Sequence, residues 1–578
     1  MKILFRFLRG NKRLFFFTLF FLLLQTICIL LIPFFTEEIV DHGIASGNID
    51  TVISIALKMI ISSVIGVIVS ITCTYLTAKL SSKLGYSIRE KLYNHIQGFT
   101  LEEQKQYGPA ALATRGSGDV ANVQQVLVML IQMILPGPFI GIVAVIMTWN
   151  VSRELALIVA FTILLFFGTV VFVFWKSLDN MKAIQERIDC MVAKLREVFV
   201  GVKIIRAFDN SAYEEDRTND TFAAHANNII AINRRFAFIS PTAFLFLGVV
   251  MAAILWFGSF EVTTGAVKIG AVTAVIEYVT LALLQLLSGA LVTVMIPRAV
   301  ASLSRVQKVL DQQTSLTDRE QVRDDRYDEK ADELVQFDNV TFQYPGAEKA
   351  VLDGISFSVK RGQTVAVIGA TASGKSTVAK ILLRFDDIQS GSIRLGGVNI
   401  RKLSQKFLRD KISYVPQTAF LFSGTVRENL KYASGDITDE QMVKAAKIAQ
   451  ADGFVSSLKE GYDSVVARGG TNFSGGQKQR LCIARALAKK ADVYVFDDSF
   501  SALDNRTDAM VRKEIRENLH DVAVIIIAQK LSSILDADEI IVLDKGRIVG
   551  KGTHEELLKT NVIYKEFAVS QQIVEGRA

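Results

Sequence analysis

Gly369-Ala370-Thr371-Ala372-Ser373-Gly374-Lys375-Ser376-Thr377 stands between the apolar run Thr364-Val365-Ala366-Val367-Ile368 and residues 378–383, which read as a helix. The pattern GxxxxGK[ST], set between a strand and a helix, is that of a phosphate-binding loop. Its glycines let the backbone wrap around phosphates, and amides at the start of the helix point at negative charge. In such a loop Lys375 is expected to bridge the β- and γ-phosphates and Ser376 to bind Mg2+. From Leu334 onward, short Val- and Ile-rich strands alternate with helices, the pattern of a mainly parallel α/β domain.

The other half of the chain has a different character. At 578 residues the sequence exceeds one compact domain. Half of the residues are hydrophobic and 21% are charged, with mean hydropathy +0.32. Residues 1–300 carry nearly all the long apolar runs. A helix needs about 20 apolar residues to cross a bilayer core of ~30 Å. Six stretches reach that length, at about 14–36, 53–78, 126–148, 154–176, 241–262 and 269–296. The expected organisation is therefore an all-α transmembrane domain at 1–312, a charged linker at 313–333, and an α/β P-loop ATPase domain at 334–578.

Lys and Arg set the orientation. Segment 79–125 holds Lys79, Lys83, Arg89, Lys91, Lys105 and Arg115, and segment 177–240 holds nine more, from Lys182 to Arg235. The first short loop has Glu37, Glu38, Asp41 and Asp50 but no Lys or Arg. Both long segments and both termini are thus expected in the cytoplasm of a multi-pass protein of the cell (inner) membrane. The long segments read as helices continuing below the bilayer, with turn-rich tips near 98–108 and 209–217. The basic N-terminus and the run to Phe35 do not fit a cleaved signal, because the apolar run is too long and no small-residue cleavage site follows. They read as an interfacial helix leading into the first span.

The net charge of +7 could point to nucleic acid, but the basic residues collect between apolar runs, as orientation requires. Cys28, Cys73, Cys190 and Cys482 lie far apart, with no CxxC pair, so neither a disulfide framework nor a zinc site is indicated. The five histidines show no metal spacing. Glu277 is the clear acid within a span, and intramembrane carboxylates are functional candidates. A wet outer vestibule is the alternative, since Glu277 lies only ~12 Å along the sixth helix. Gln25, Thr26 and Gln285 are weaker substrate-contact candidates. Pro33, Pro136, Pro138, Pro241 and Pro297 lie in or beside spans and mark helix ends or bends.

Further motifs follow in order. Tyr344, in Phe342-Gln343-Tyr344-Pro345, precedes the phosphate loop and can stack on adenine. Gln417 lies in Tyr414-Val415-Pro416-Gln417-Thr418, and Asn472-Phe473-Ser474-Gly475-Gly476-Gln477-Lys478-Gln479-Arg480 precedes a helix at 481–487. Asp497 ends the strand Val493-Tyr494-Val495-Phe496, Asp498 follows it, and Ser501-Ala502-Leu503-Asp504 comes next. This ordered set resembles the ATP-binding cassette family. With six preceding spans, nearly the whole chain is similar to an ABC exporter half-transporter of the multidrug, lipid or peptide type.

The resemblance implies two nucleotide domains meeting head to tail around two ATP molecules. Each ATP would touch the phosphate loop of one chain and Ser474–Gln477 of the other, the serine starting a helix whose amides can meet a γ-phosphate. It implies Mg2+ on Ser376, Gln417 and Asp497, and a dimer-interface role for Asp504. Two departures stand out. The residue after the strand-ending aspartate is usually Glu in this family; Asp498 is one methylene shorter, which withdraws the carboxylate by ~1.5 Å, and a ~1 Å misplacement can cost about 10²-fold. The switch histidine is replaced by Gln529, which can hydrogen-bond but cannot become cationic. Ala372 also stands where Gly is usual, Arg468 where Glu is common, and Phe473 where Leu is usual in the signature.

An intact signature beside a weakened catalytic strand predicts a heterodimer, in which a second half-transporter supplies the catalytic Glu and His. A homodimer with two slow Asp-based sites is the alternative. An ATP-gated channel, a regulatory subunit or an importer would use the same parts; the six spans argue against a soluble cassette ATPase.

Overall fold

The computed structural model describes residues 2–314, 316, 322–571 and 573. They form two compact units, Met1–Gln97 with Gln104–Gln313, and Gly98–Glu103 with Thr314–Ala578.

The first unit is helical. Among the described residues, six helical segments are long and apolar enough to cross a membrane: Lys12–Ile44, Ile49–Gln97, Pro109–Val151, Arg153–Ala207, Ser211–Thr263 and Ile269–Thr293. Ile49–Gln97 has 49 residues and Arg153–Ala207 has 55, so at 1.5 Å per residue each is more than twice a ~30 Å bilayer core in length. The apolar window of Ile269–Thr293 is 50% buried, against 17–33% for the other five. It is therefore the central helix of this unit. Phe16, Ile61, Ile68, Phe161, Leu164 and Trp256 lie exposed on the outer helices, the face that a lipid environment tolerates and water does not.

Three details depart from the sequence reading. The tip expected at 209–217 is shorter, because the helix resumes at Ser211 after Asp209 alone takes a left-handed φ of 49°. The sixth span ends at Thr293, and a separate helix, Ile296–Asp311, begins with Pro297 in its first turn, where proline's missing N–H has no helical partner to lose. Short π-helical segments interrupt the membrane helices at Ile39–Ile44, Arg115–Asp119 and Leu130–Ile134, and no residue pattern marks such insertions.

The second unit is built on a six-stranded sheet in the order Arg547–Gly552, Glu539–Asp544, Thr364–Gly369, Ala523–Ala528, Val493–Asp497, Ile412–Val415. All neighbours are parallel except the first pair. The strands read as near-continuous apolar runs because both faces are covered. Alternate residues serve different cores. Ala366, Ile368, Phe496 and Ile526 join one cluster, while Val365, Val367, Val495 and Ile525 join the other. An antiparallel sheet, ordered Leu352–Lys360, Glu333–Phe342, Ser390–Leu395, Val398–Asn399, covers part of this domain. Phe337 and Phe357 pair across it with rings stacked at 4.4 Å.

The charged linker expected at 313–333 is docked in its second half. Arg323 N–H donates to Lys402 O at 2.8 Å, Asp324 accepts from the Ser404 hydroxyl at 2.7 Å, and Tyr327 O–H donates to Asp492 at 2.7 Å. The Tyr327 ring packs edge-on against Phe407, an apolar contact that charge-rich composition conceals.

Candidate active site

The candidate nucleotide site lies at the carboxyl ends of adjacent parallel strands, where α/β sheets place ligands. Thr364–Gly369 delivers the loop and Lys375–Leu382 receives it; the helix thus begins three residues earlier than the sequence suggested. Gly374 has φ 100°, and a Cβ there would lie 2.7 Å from Val351 O. Only glycine fits. Ala372, with φ 65°, takes a left-handed backbone without that freedom.

Lys375 is buried, and its Nζ donates to Gly369 O and Ala370 O, both at 2.7 Å. Burial pushes its pKa down, against the pull of Asp498 and Asp497. Ser376 Oγ donates to Asp497 Oδ1 at 2.7 Å. Asp497 is 2% exposed; burial raises its pKa while Ser376 and Tyr414 oppose the rise. The Ser373 hydroxyl is buried without a partner. A buried cation curled onto its own loop, an orphaned hydroxyl and a hydroxyl–carboxylate pair match what a triphosphate and a divalent cation require. Thr371 and Thr377 complete the loop, and Thr377 Oγ1 lies 3.4 Å from Tyr344 O–H. The Tyr344 ring rests edge-on against Phe342 at 4.8 Å.

Asp498 follows directly with φ 48°. Its N–H donates to Ile527 O at 2.7 Å, and one carboxylate oxygen accepts from Gln417 Nε2 at 3.3 Å. Gln529 is exposed at the end of strand Ala523–Ala528. These residues sit on neighbouring strand ends, which sequence separation hides. Tyr414 was missed: its O–H donates to Asp497 Oδ2 at 3.2 Å, and burial beside that carboxylate raises its pKa. A polar tip in the apolar strand Ile412–Val415 was the available signal.

Ser474 caps the helix Gly475–Ala488, accepting from Gln477 N–H at 3.3 Å while Gln477 Oε1 accepts from Ser474 N–H at 2.9 Å. This capping box leaves Ser474 and Gly475 exposed, with Gly476 just behind. Asp504 caps Asn505–Asn518, and the Thr507 N–H holds its carboxyl below the usual range.

The substrate candidates lie apart. Glu277 lines a cavity of about 260 Å³ with Ile29, Ile32, Pro33, Thr280 and Leu281. Gln25 Nε2 donates to Ser70 Oγ at 3.2 Å, Thr26 Oγ1 to its own helix at Leu22 O, and Gln285 Nε2 to Met133 O at 3.3 Å. Gln285 thereby serves a carbonyl of the π-helical segment Leu130–Ile134.

Residues 352–501 match the ABC transporter family model, and residues 15–287 match the ABC transporter transmembrane region. An uncharacterized ABC transporter ATP-binding protein of Mycobacterium tuberculosis is 32% identical over 95% of this chain and 94% of its own length. The ATP-dependent lipid A-core flippase of Desulfotalea psychrophila is 31% identical over 85% of this chain and 86% of its own. A probable multidrug resistance ABC transporter of Bacillus subtilis is 37% identical over 66% of this chain and 64% of its own. Among solved structures, a bacterial Atm1-family ABC exporter with ATP bound superposes with TM-score 0.81 at 23% identity, covering 98% of this chain and 99% of that one.

A six-helix membrane region fused to one ATPase domain defines an ATP-driven, multi-pass membrane transporter. The chain belongs to the ABC transporter family, with its transmembrane region and its ATPase domain on one polypeptide.

Proposed function

We propose that the chain exports amphipathic or hydrophobic compounds across the cell membrane as one half of a heterodimer, with its own ATP site hydrolysing slowly. Export of this substrate class is supported by the relatives named as a lipid A-core flippase and a multidrug resistance transporter. One observation carries the asymmetric reading: the short Asp498 carboxylate directly follows the strand Val493–Asp497, and Gln529 directly follows the neighbouring strand Ala523–Ala528, where a switch histidine would be expected. Tyr344 would receive the adenine, Lys375 and the loop amides the phosphates, and Ser376, Gln417 and Asp497 a Mg2+ ion. Mg2+ there would neutralise charge developing between the β- and γ-phosphates. Asp498 would orient the lytic water, and its shorter reach leaves that water poorly aligned.

Ser474–Gln477 would complete the partner's site, where a Glu and a His are supplied, with Asp504 at the shared interface. The membrane domain would span 1–312 and the nucleotide domain 334–578, with both termini cytoplasmic. Glu277 would offer a carboxylate to cationic amphiphiles; Gln25 and Gln285 hold neighbouring helices as well, so any role in substrate contact is secondary.

Co-purification from the native membrane, followed by ATPase assay of the chain alone and with what it brings, tests this. A second half-transporter and slow turnover in its absence are expected. Turnover of tens per second by the chain alone would overturn the heterodimer and favour a homodimer.

A further inference from the structure

The loop that carries Gln529 is held from behind by a side chain far along the sequence. Gln571 follows the helix Val562–Ser570, whose Tyr564 and Ala568 are fully buried. Its backbone N–H is tied to Phe567 O at 3.0 Å. Its side chain grips the loop at two points: Oε1 accepts from Leu531 N–H at 2.8 Å, and Nε2 donates to Gln529 O at 2.9 Å. Between these points Lys530 extends, and its Nζ donates to Ser501 O at 3.3 Å. A primary amide is the side chain that offers one acceptor and two donors at a single planar head. Here it satisfies one donor and one acceptor of the loop, as an adjacent strand would.

We propose that Gln571 is a positioning residue, fixing the backbone of 529–531 so that the Gln529 side chain reaches the γ-phosphate of ATP on the 369–377 loop. The proposal rests on the reading of Gln529 given above. The loop joins the rigid strand Ala523–Ala528 to the turn Leu531–Ser533, and Gln529 itself is exposed. A shift of ~1 Å in such a group costs up to about 10²-fold in rate. The grip acts on backbone, so it fixes the loop whichever side chain stands at 529.

The test uses the full-length chain in lipid nanodiscs, with the phosphate loop of any co-purifying partner inactivated. It measures kcat and KM for ATP, together with hydrogen exchange of residues 523–533. Gln571→Ala is expected to lower kcat roughly fivefold, with KM changed less than about twofold, and to deprotect the Leu531 amide while strand Ala523–Ala528 stays protected. Gln529→Ala/Gln571→Ala is expected to be no slower than Gln529→Ala, because one residue acts through the other. Gln571→Glu adds a pH signature: its carboxylate accepts from Leu531 but donates to Gln529 O only when protonated. Its kcat relative to wild type should therefore climb as pH falls toward about 5.

A wild-type kcat in Gln571→Ala, multiplicative losses in the double variant, or a flat pH ratio would each overturn the positioning role. Deprotection of the whole strand would reduce Gln571 to a structural part and overturn it too. If Gln529→Ala is itself silent, the reading of Gln529 falls and takes this proposal with it. If Gln529→Ala is slow and Gln571→Ala is not, this proposal alone falls.

Discussion

Asp498 occupies a left-handed backbone position, φ 48°, directly after the buried strand end. Asp and Asn are the side chains other than glycine that best accept this region, so the shorter acid suits the backbone while it shortens reach. Asp498→Glu is expected to raise kcat roughly tenfold or more, at a small loss of thermal stability; ATPase and melting measurements read both, and an unchanged rate would remove reach as the limiting factor. Asp497 has the opposite problem. Burial raises its carboxyl pKa above the unfolded value of ~3.9, so between the two values the folded state holds the extra proton and stability falls as pH rises. Above the folded value the penalty is fully present. Asp497→Asn is therefore expected to melt higher than wild type in nucleotide-free protein at pH 7, to lose that advantage toward pH 4, and to hydrolyse no ATP. A lower melting point for the variant at neutral pH would mean that the Ser376 and Tyr414 bonds outweigh burial.

Elements pack where small residues let backbones approach. At Gly289 in the central membrane helix, a Cβ would lie 3.0 Å from Met133 O and 3.3 Å from Ile134 Cα. Gln285, one turn away, donates to the same Met133 carbonyl, which belongs to the π-helical segment Leu130–Ile134. Gly289→Val is expected to cut detergent-phase thermal stability sharply, and Gln285→Leu by only about 1 kcal/mol; equal effects would show that the hydrogen bond, not the close approach, holds the pair. The six spans were legible because twenty-residue apolar runs have little other use. The π segments, the new start at Ile296 and the docking of Tyr327 were not, because each depends on neighbours distant in sequence.

For the whole molecule, the proposed division of labour predicts unequal damage. In a complex with its partner, Lys375→Ala is expected to leave most of the ATPase activity, whereas Ser474→Arg, which obstructs the exposed helix start, is expected to abolish it. Equal losses in the two variants would argue for equivalent sites. The sequence by itself determined the membrane helices and the parallel α/β domain, and it supplied the candidate phosphate loop, signature and two unusual residues, because each is written in local periodicity or in a short contiguous motif. Tertiary structure alone decided that Tyr414 meets Asp497, that Gln417 meets Asp498, that Asp498 and Ala372 bear left-handed backbones, and that Gln571 grips the loop of Gln529. Those pairings span 42 to 83 residues; parallel strands bring Tyr414 and Gln417 to Asp497 and Asp498 only after a long crossover, and Gln571 reaches its loop from the end of a later helix, so no local pattern records them.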